Sequence, residues 1–459
     1  MVSITFLLIV GIAALGFLWA WTGARKQETN ARGALAARPG YHGAYVALWT
    51  GLPSALLVLS WIALQGSVID RLILSTIDAI NVATLSAGER NLVLSQIRSI
   101  AAGNLFGQPE PWLLAAGERY GRWQTLAGQA LLATGFAAAL GLLVFARTRL
   151  SPRFRARHAV EHVISGLILA SAAAAILTTG GILLSLVFES WAFFRLVPLG
   201  EFLFGLNWEP QIAIRADQVA GEGAFGAAPV FAGTLLIAVI AMAVAAPIGL
   251  MSAIYLVEYA NPHVRAVVKP VLELLAGIPT VVYGFFAILV VAPFMREIGG
   301  AVGLDVSPNS ALAAGAVMGI MILPFISSIS DDALAAVPQS MRDGSLAMGA
   351  TKAETITRVL LPAALPGIVG GLLLAVSRAI GETMIVVMAA GLIANLTANP
   401  LEGVTTVTVQ IVTLLIGDTS FDNPKTLAAF ALGLVLFVAT LSLNVLALRI
   451  VRKYREKYE

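Results

Sequence analysis

Residues 229–257 read PVFAGTLLIAVIAMAVAAPIGLMSAIYLV, with no charged side chain before Glu258. At about 1.5 Å per residue, a helix of this length covers a ~30 Å hydrocarbon core. Nothing in that core but the chain itself can bond a backbone N–H or C=O, so helix is the conformation such a run must take. Eight further apolar runs flank it, at about 2–21, 43–65, 124–146, 160–188, 266–294, 308–329, 366–393 and 427–449. The expected fold is therefore an all-α polytopic membrane protein, a helical bundle of nine spans, the fifth being 229–258.

Composition agrees with that reading. The 459 residues are 58% hydrophobic and 12% charged, against about 25% charged in soluble domains. A formal charge of +3, with no basic stripe interleaved with aromatics, gives no footprint for nucleic acid. Cysteine is absent, which excludes disulfides, thiolate chemistry and cysteine metal sites. His158 and His162 are spaced i, i+4 but lie beside an Arg-rich loop with no acidic partner except Glu161, so no metal site is expected. The N-terminal run 2–21 carries its cations after the apolar stretch, not before it, which argues for an uncleaved span rather than a signal peptide.

Charge sets the expected orientation. The stretch 22–42 holds Arg25, Lys26, Arg32 and Arg38, and 147–161 holds Arg147, Arg149, Arg153, Arg155 and Arg157. The tail adds Arg449, Arg452, Lys453, Arg455 and Lys457. Threading nine spans puts all three on one side, so that side is read as cytoplasm, with the N-terminus outside and the C-terminus inside. Loops on the other side are neutral or acidic: Glu201, Glu209, Asp217 and Glu222 outnumber Arg195 and Arg215.

Residues 66–123 break the apolar pattern. Leu72, Leu74, Ile77 and Ile80, then Leu92, Leu94 and Ile97, recur at helical spacing among charges, as in amphipathic helices. A small helical cap outside the membrane is expected there. Three spans and this cap make an N-terminal extension, 1–150; residues 151–459 form a six-span unit.

The loop between the seventh and eighth spans, 331–365, is the most informative. Pro338 stands at a helix start, a short helix over Arg342–Met348 ends at Gly349, and a second runs from Lys352 to Leu361 before Pro362 and Pro366 break it. No nucleophile–base pair or metal-ligand spacing accompanies this knob, so it suits docking and not catalysis. Asp343-Gly344-Ser345, then Gly349 and Ala350, then Leu361-Pro362, resembles the EAA loop of ABC importer permeases. The acid and the small side chains are kept, while Asp343, Gly344 and Ser345 depart from Glu-Ala-Ala.

Further stretches narrow the resemblance. Phe202 to Gly205, Asn207 to Pro210, Gly233 to Leu235, Glu273 to Gly284 and Ser377 to Met384 are similar to phosphate-specific ABC importer permeases of the PstC type. The resemblance covers about 160–449. It implies a homologous permease subunit (PstA type), a cytoplasmic ATPase dimer (PstB type), a periplasmic phosphate-binding protein (PstS type) and a bacterial inner membrane. It also implies that the chain is not an enzyme and binds no cofactor, ATP being used by the partner. No Gly-Lys-Ser or Gly-Lys-Thr phosphate loop occurs. Permeases for sulfate or molybdate, and an ion-coupled secondary transporter, are the alternatives. The last would show paired half-helices in inverted repeats.

Two intramembrane charges stand out. Arg378 and Glu382, four apart in the expected eighth span, would share a helix face near mid-membrane. An unpaired Arg at that depth costs about 2.5–3.5 kcal/mol on insertion scales, so the two should face the bundle interior or an aqueous path. They are either a structural pair or part of an anion path, which the resemblance favours, since guanidinium binds phosphate bidentately. Glu273, Gly277 and Pro279, in the expected sixth span, mark a kink that either gates the path or merely shapes packing. Glu258 and Lys269 read as ordinary interface charges.

Overall fold

The computed structural model describes residues 1–30, 35–76, 87–104, 110–211, 223–416 and 423–454. Arg32, Ile77, Ile80, Arg215, Asp217, Glu222, Arg455 and Lys457 lie outside them. Among the described residues nine helices are long and apolar enough to cross a membrane. Two compact units are present, Met1–Leu177 and Thr178–Glu459.

The first unit contains α1 (Val2–Asn30), α2 (Pro39–Thr76), α3 (Ala87–Ala101), α4 (Pro111–Arg149) and the first half of α5 (Ala156–Leu196). Its long helices meet along Ile9, Val58, Leu131 and Ala139. The cap differs from expectation. α2 continues through Gly66 to Thr76, and α4 starts at Pro111 rather than 124, so the spans themselves build most of it. A helical glycine costs only about 1 kcal/mol, too little to stop a helix held by its neighbours. The separate helix α3 closes the cap by burying Leu94 and Ile97 against Ile69, Ile73, Ala116 and Tyr120. Arg98 pairs with Asp70.

The second unit begins in α5 and continues through α6 (Leu199–Phe204) to a two-strand ribbon, β1 (Trp208–Glu209) with β2 (Ala224–Phe225), antiparallel with Trp208 opposite Phe225. Then come α7 (Ala228–Tyr259), α8 (Pro262–Ala276), α9 (Thr280–Val302), α10 (Ala311–Ala335), α11 (Gln339–Ala347) and α12 (Lys352–Ile380). α13 (Met384–Ala389), α14 (Val407–Leu415) and α15 (Pro424–Tyr454) complete it. Among the described residues α10 is the most buried of the membrane-length helices. It lies close against α7: a Cβ added at Gly315 would meet Ile240 at 2.7 Å, so nothing larger fits there.

Three local expectations fail here. The run 266–294 is not one span but two helices, α8 and α9, separated at Gly277-Ile278-Pro279. α8 is amphipathic, its charges Arg265, Lys269 and Glu273 falling at i, i+4 and i+8. Pro362 and Pro366 do not break a helix either. A π turn over Ile356–Leu360, closed by the Leu361 N–H on the Ile356 carbonyl, precedes Pro362, and α12 runs on to Ile380. The wider turn absorbs the mismatch where proline has no N–H to give. Pro293 follows the π turn Ala287–Val291 in the same way. Finally, α12 stops at Gly381 instead of running to 393.

Candidate functional site

The loop from Asp331 to Leu361 is pinned at two points to the helices beside it. At the end of α10, the Asp331 carboxylate is buried and accepts from Arg265 (3.0 Å to each oxygen) and from Lys269 Nζ (2.7 Å), both on α8. Asn261 caps α8 by accepting from the Val264 N–H at 2.8 Å, which fixes where that helix starts. Hydrogen bonding to Asp331 holds the Lys269 ammonium above its ordinary pKa range. A raised lysine stabilises below its unfolded pKa and loses that contribution only as pH rises through the folded value, so the tie stands across neutral pH.

The second pin is Arg342 on α11. Its Nε donates to Glu258 Oε1 of α7 at 3.0 Å, and its two terminal nitrogens donate to the Val337 and Leu334 carbonyls at 2.8 Å each. Both side chains are nearly buried, 13% and 10% exposed. Glu258 and Lys269, read from the sequence as ordinary interface charges, thus hold the loop to the membrane helices. The signal that could have found Lys269 is the i, i+4, i+8 charge row on α8, which a membrane span would not carry.

Between the pins and the tip, the loop follows the expected helix–turn–helix. Pro338 precedes α11, which starts at Gln339, three residues earlier than the spacing suggested. Gly349 adopts φ +87°, a left-handed conformation in which a Cβ is strained, and so ends the turn. Thr351 and Glu354 form a capping box at the start of α12. Ser345 bonds Thr355 side chain to side chain at 2.9 Å, closing the two helices on each other. Asp343 and Gly344 lie on the exposed face with Leu346 and Met348, and Ala350 is half-buried. Met348 is 89% exposed, the tip of the knob. Leu361 and Pro362 lie at the start of the long α12 segment beyond the π turn. Leu334, Val337, Ile356, Leu360 and Ala364 form the small core beneath. Gly349→Ala is expected to destabilise the turn by about 1–2 kcal/mol, read as a lower melting temperature with unchanged helix content.

Arg378 and Glu382 are not paired. Arg378 lies near the end of α12, exposed, with its guanidinium carbon 5.9 Å from the ring centre of Phe325, level with the middle of α10. Gly381 ends the helix, so Glu382 is no longer one turn along the same face. Its carboxylate instead accepts the Met384 and Ile385 N–H groups (2.9 and 3.4 Å), capping α13. Its carbonyl accepts from Thr408 at 2.7 Å. Among the described residues Arg378 has no ion pair and no hydrogen bond from its side chain.

The segment 381–416 folds back around these residues and is organised by Gln410, which sequence reasoning missed. Buried Gln410 accepts from Trp208 Nε1 (2.9 Å) and donates to the Leu392 carbonyl and Thr405 Oγ1 (2.9 and 3.1 Å). Glu273 is exposed on α8 and borders a narrow crevice with Lys269, Ser327 and Asp331. Gly277 caps the end of α8, and Pro279 precedes α9. Tyr283 Oη donates to the Leu275 carbonyl across this corner at 2.8 Å.

Comparison with known proteins fits both halves of this architecture. The family described as "Binding-protein-dependent transport system inner membrane component" matches residues 245–456. The family described as "Phosphate ATP-binding cassette transporter" matches 5–178, ending where the first compact unit ends. The phosphate transport system permease protein PstC of Mesorhizobium japonicum is 33% identical over 63% of this chain and 88% of its own. The chain belongs to the PstC-type permeases. A Mycobacterium tuberculosis relative, PstC 1, is 34% identical over 58% of this chain and 86% of its own. The probable ABC transporter permease YqgH of Bacillus subtilis is 37% identical over 52% and 73%. Among solved structures, a bacterial alginate ABC transporter matches at 15% identity, covering 65% of this chain and 96% of that one, with a TM-score of 0.46. The family match and the PstC relatives make this permease a multi-pass membrane subunit of an ABC transport system.

Proposed function

We propose that this permease is the PstC-type transmembrane subunit of an ATP-driven phosphate importer. It lies in a bacterial inner membrane with its N-terminus outside and its C-terminus in the cytoplasm. The observation that carries the reading is the pinned loop, Asp331 to Leu361. Its tip offers Leu346 and Met348 to a partner while the largely buried Arg342 and the buried Asp331 tie its base to α7 and α8. A load applied at the tip therefore reaches two elements of the six-span unit through charge-assisted bonds, the strongest side-chain ties available. The partner at the tip is a PstB-type ATPase dimer that hydrolyses the ATP, this chain binding no cofactor itself. A PstA-type permease completes the path, and a PstS-type binding protein delivers inorganic phosphate from the outside.

Arg378 is the anion-binding residue of this half of the path. Its guanidinium stays charged, and its fork matches two phosphate oxygens. Glu382 acts one step removed, through the cap that orients α13. The corner at Gly277–Pro279 lets α8 and α9 change angle as α8 follows the loop, while Glu273 borders the crevice that closes or opens with it.

Radiolabelled phosphate uptake tests this in proteoliposomes holding the permease, its PstA-type partner and the ATPase, with ATP inside and binding protein outside. ATP-dependent uptake that excess sulfate leaves unchanged is the expected result. Hydrolysis without phosphate uptake, or uptake that sulfate or molybdate suppresses, overturns the phosphate assignment.

A further inference from the structure

The first unit gathers cations at one end more densely than orientation in the membrane demands. Arg25 and Lys26 lie a turn before the end of α1, Arg147 and Arg149 close α4, and Arg153 and Arg155 lie in the segment that leads to α5. Packing of Ala20, Tyr45, Val46, Ala146 and Val160 brings these ends together, and the Ala36 N–H bonds the Pro152 carbonyl at 3.0 Å. All six side chains are exposed, and among the described residues none of the six has an ion-pair partner. The neighbouring Arg157, by contrast, is paired with Glu161 at 2.6 Å.

Three of the six guanidinium groups rest against aromatic rings. Arg25 lies 5.3 Å from the Trp21 ring centre, Arg147 4.8 Å from Trp19 and Arg149 5.2 Å from Phe145. A guanidinium held against a ring keeps its N–H fork free for two oxygens of one phosphate, with less freedom left to lose on binding. Trp19 and Phe145 are 48% and 42% exposed on helices that cross the membrane, so the surface beside the fork is lipid. Aromatic rings at this level are the membrane-interface belt, and basic clusters just beyond a span recognise anionic headgroups.

We infer that this collar of Arg25, Arg147 and Arg149, backed by Lys26, Arg153 and Arg155, is a binding site for the phosphodiester headgroup of an anionic phospholipid. Its source is a lipid and not free phosphate, because the aromatic rings under the forks give acyl chains an apolar surface continuous with the headgroup site. The site is independent of the transport reading, since every residue belongs to the N-terminal unit.

The test uses the purified, delipidated full chain in a neutral detergent. It is titrated with dioctanoyl-phosphatidylglycerol, with dioctanoyl-phosphatidylcholine and with inorganic phosphate, and binding is read by thermophoresis. The glycerol lipid is expected to bind at least tenfold tighter than the choline lipid and to resist displacement by millimolar phosphate. Removing three cations in R25Q/R147Q/R149Q should weaken it on the order of a hundredfold. The same charge loss at the other end of the unit, R71Q/R90Q/R119Q, should change it less than threefold. Equal affinity for the two lipids overturns the proposal, whether or not the variants fold. Full displacement by phosphate would make this a free-anion site, and tighter binding of polyglutamate than of the glycerol lipid would make it a protein-docking surface; either also overturns it.

Discussion

Arg342→Ala is expected to leave ATP hydrolysis by the assembled transporter within about threefold of normal while phosphate uptake falls to background. Removing one partner of a largely buried pair costs about 3–5 kcal/mol, because the other charge is left uncompensated. Here the loss is compounded by two carbonyls, of Leu334 and Val337, that lose their donor. A nine-residue helix such as α11 cannot hold itself in place without tertiary ties. The ATPase would still meet Leu346 and Met348 at the tip, but movement of α11 would no longer reach Glu258 on α7. Arg342→Lys separates charge from geometry: it keeps one ion pair and loses at least one carbonyl bond, so partial coupling is expected. The ratio of phosphate transported to ATP hydrolysed decides the matter, and an unchanged ratio in the alanine variant would show that the pin carries no load.

Arg378→Gln is the second large effect, and its reasoning runs the other way. Because Arg378 makes no ion pair or hydrogen bond within the chain among the described residues, its loss leaves no buried partner stranded, and assembly should survive. Its contact with the Phe325 ring is worth about 0.5–1 kcal/mol at an exposed site. Uptake, however, should drop to background, since an anion level with Phe325 loses the cation that α12 places at that depth. Lysine at the same position restores charge but not the bidentate fork, so a weaker, lower-affinity uptake is expected. Glu382→Gln retains a carbonyl oxygen for the α13 amides and should transport within about twofold of normal. Glu382→Ala loses that cap, at about 0.5–2 kcal/mol. Normal phosphate uptake by the Arg378→Gln transporter would remove Arg378 from the path.

The fold class and the loop were legible because each rests on a local rule. A charge-free run of helix length has one stable form in lipid, whatever surrounds it. Pro338 and Gly349 act through their own backbone constraints, and the interval from Gly349 to Leu361-Pro362 survives any packing arrangement. The ends of the spans were harder to read. Gly66 and the charges after it look like a helix end, yet Ile69 and Ile73 pack on α3 and carry α2 onward. Pro362 looks like a break, yet a π turn placed just before it removes the conflict.

The sequence by itself determined that this protein is a helical membrane permease and that 331–365 carries a helix–turn–helix, because those features depend on runs and spacings within one segment. Only the tertiary structure decided the rest. It separated Arg378 from Glu382 at Gly381, which a helical wheel drawn through both could not do. It joined Arg342 to Glu258 across 84 positions and Asp331 to Arg265 across 66. It also set Gln410 beneath Trp208 across 202. The physical reason is range: backbone preference and hydropathy act within a turn or a span, whereas a buried charge is tolerated only where the whole fold brings a partner to it.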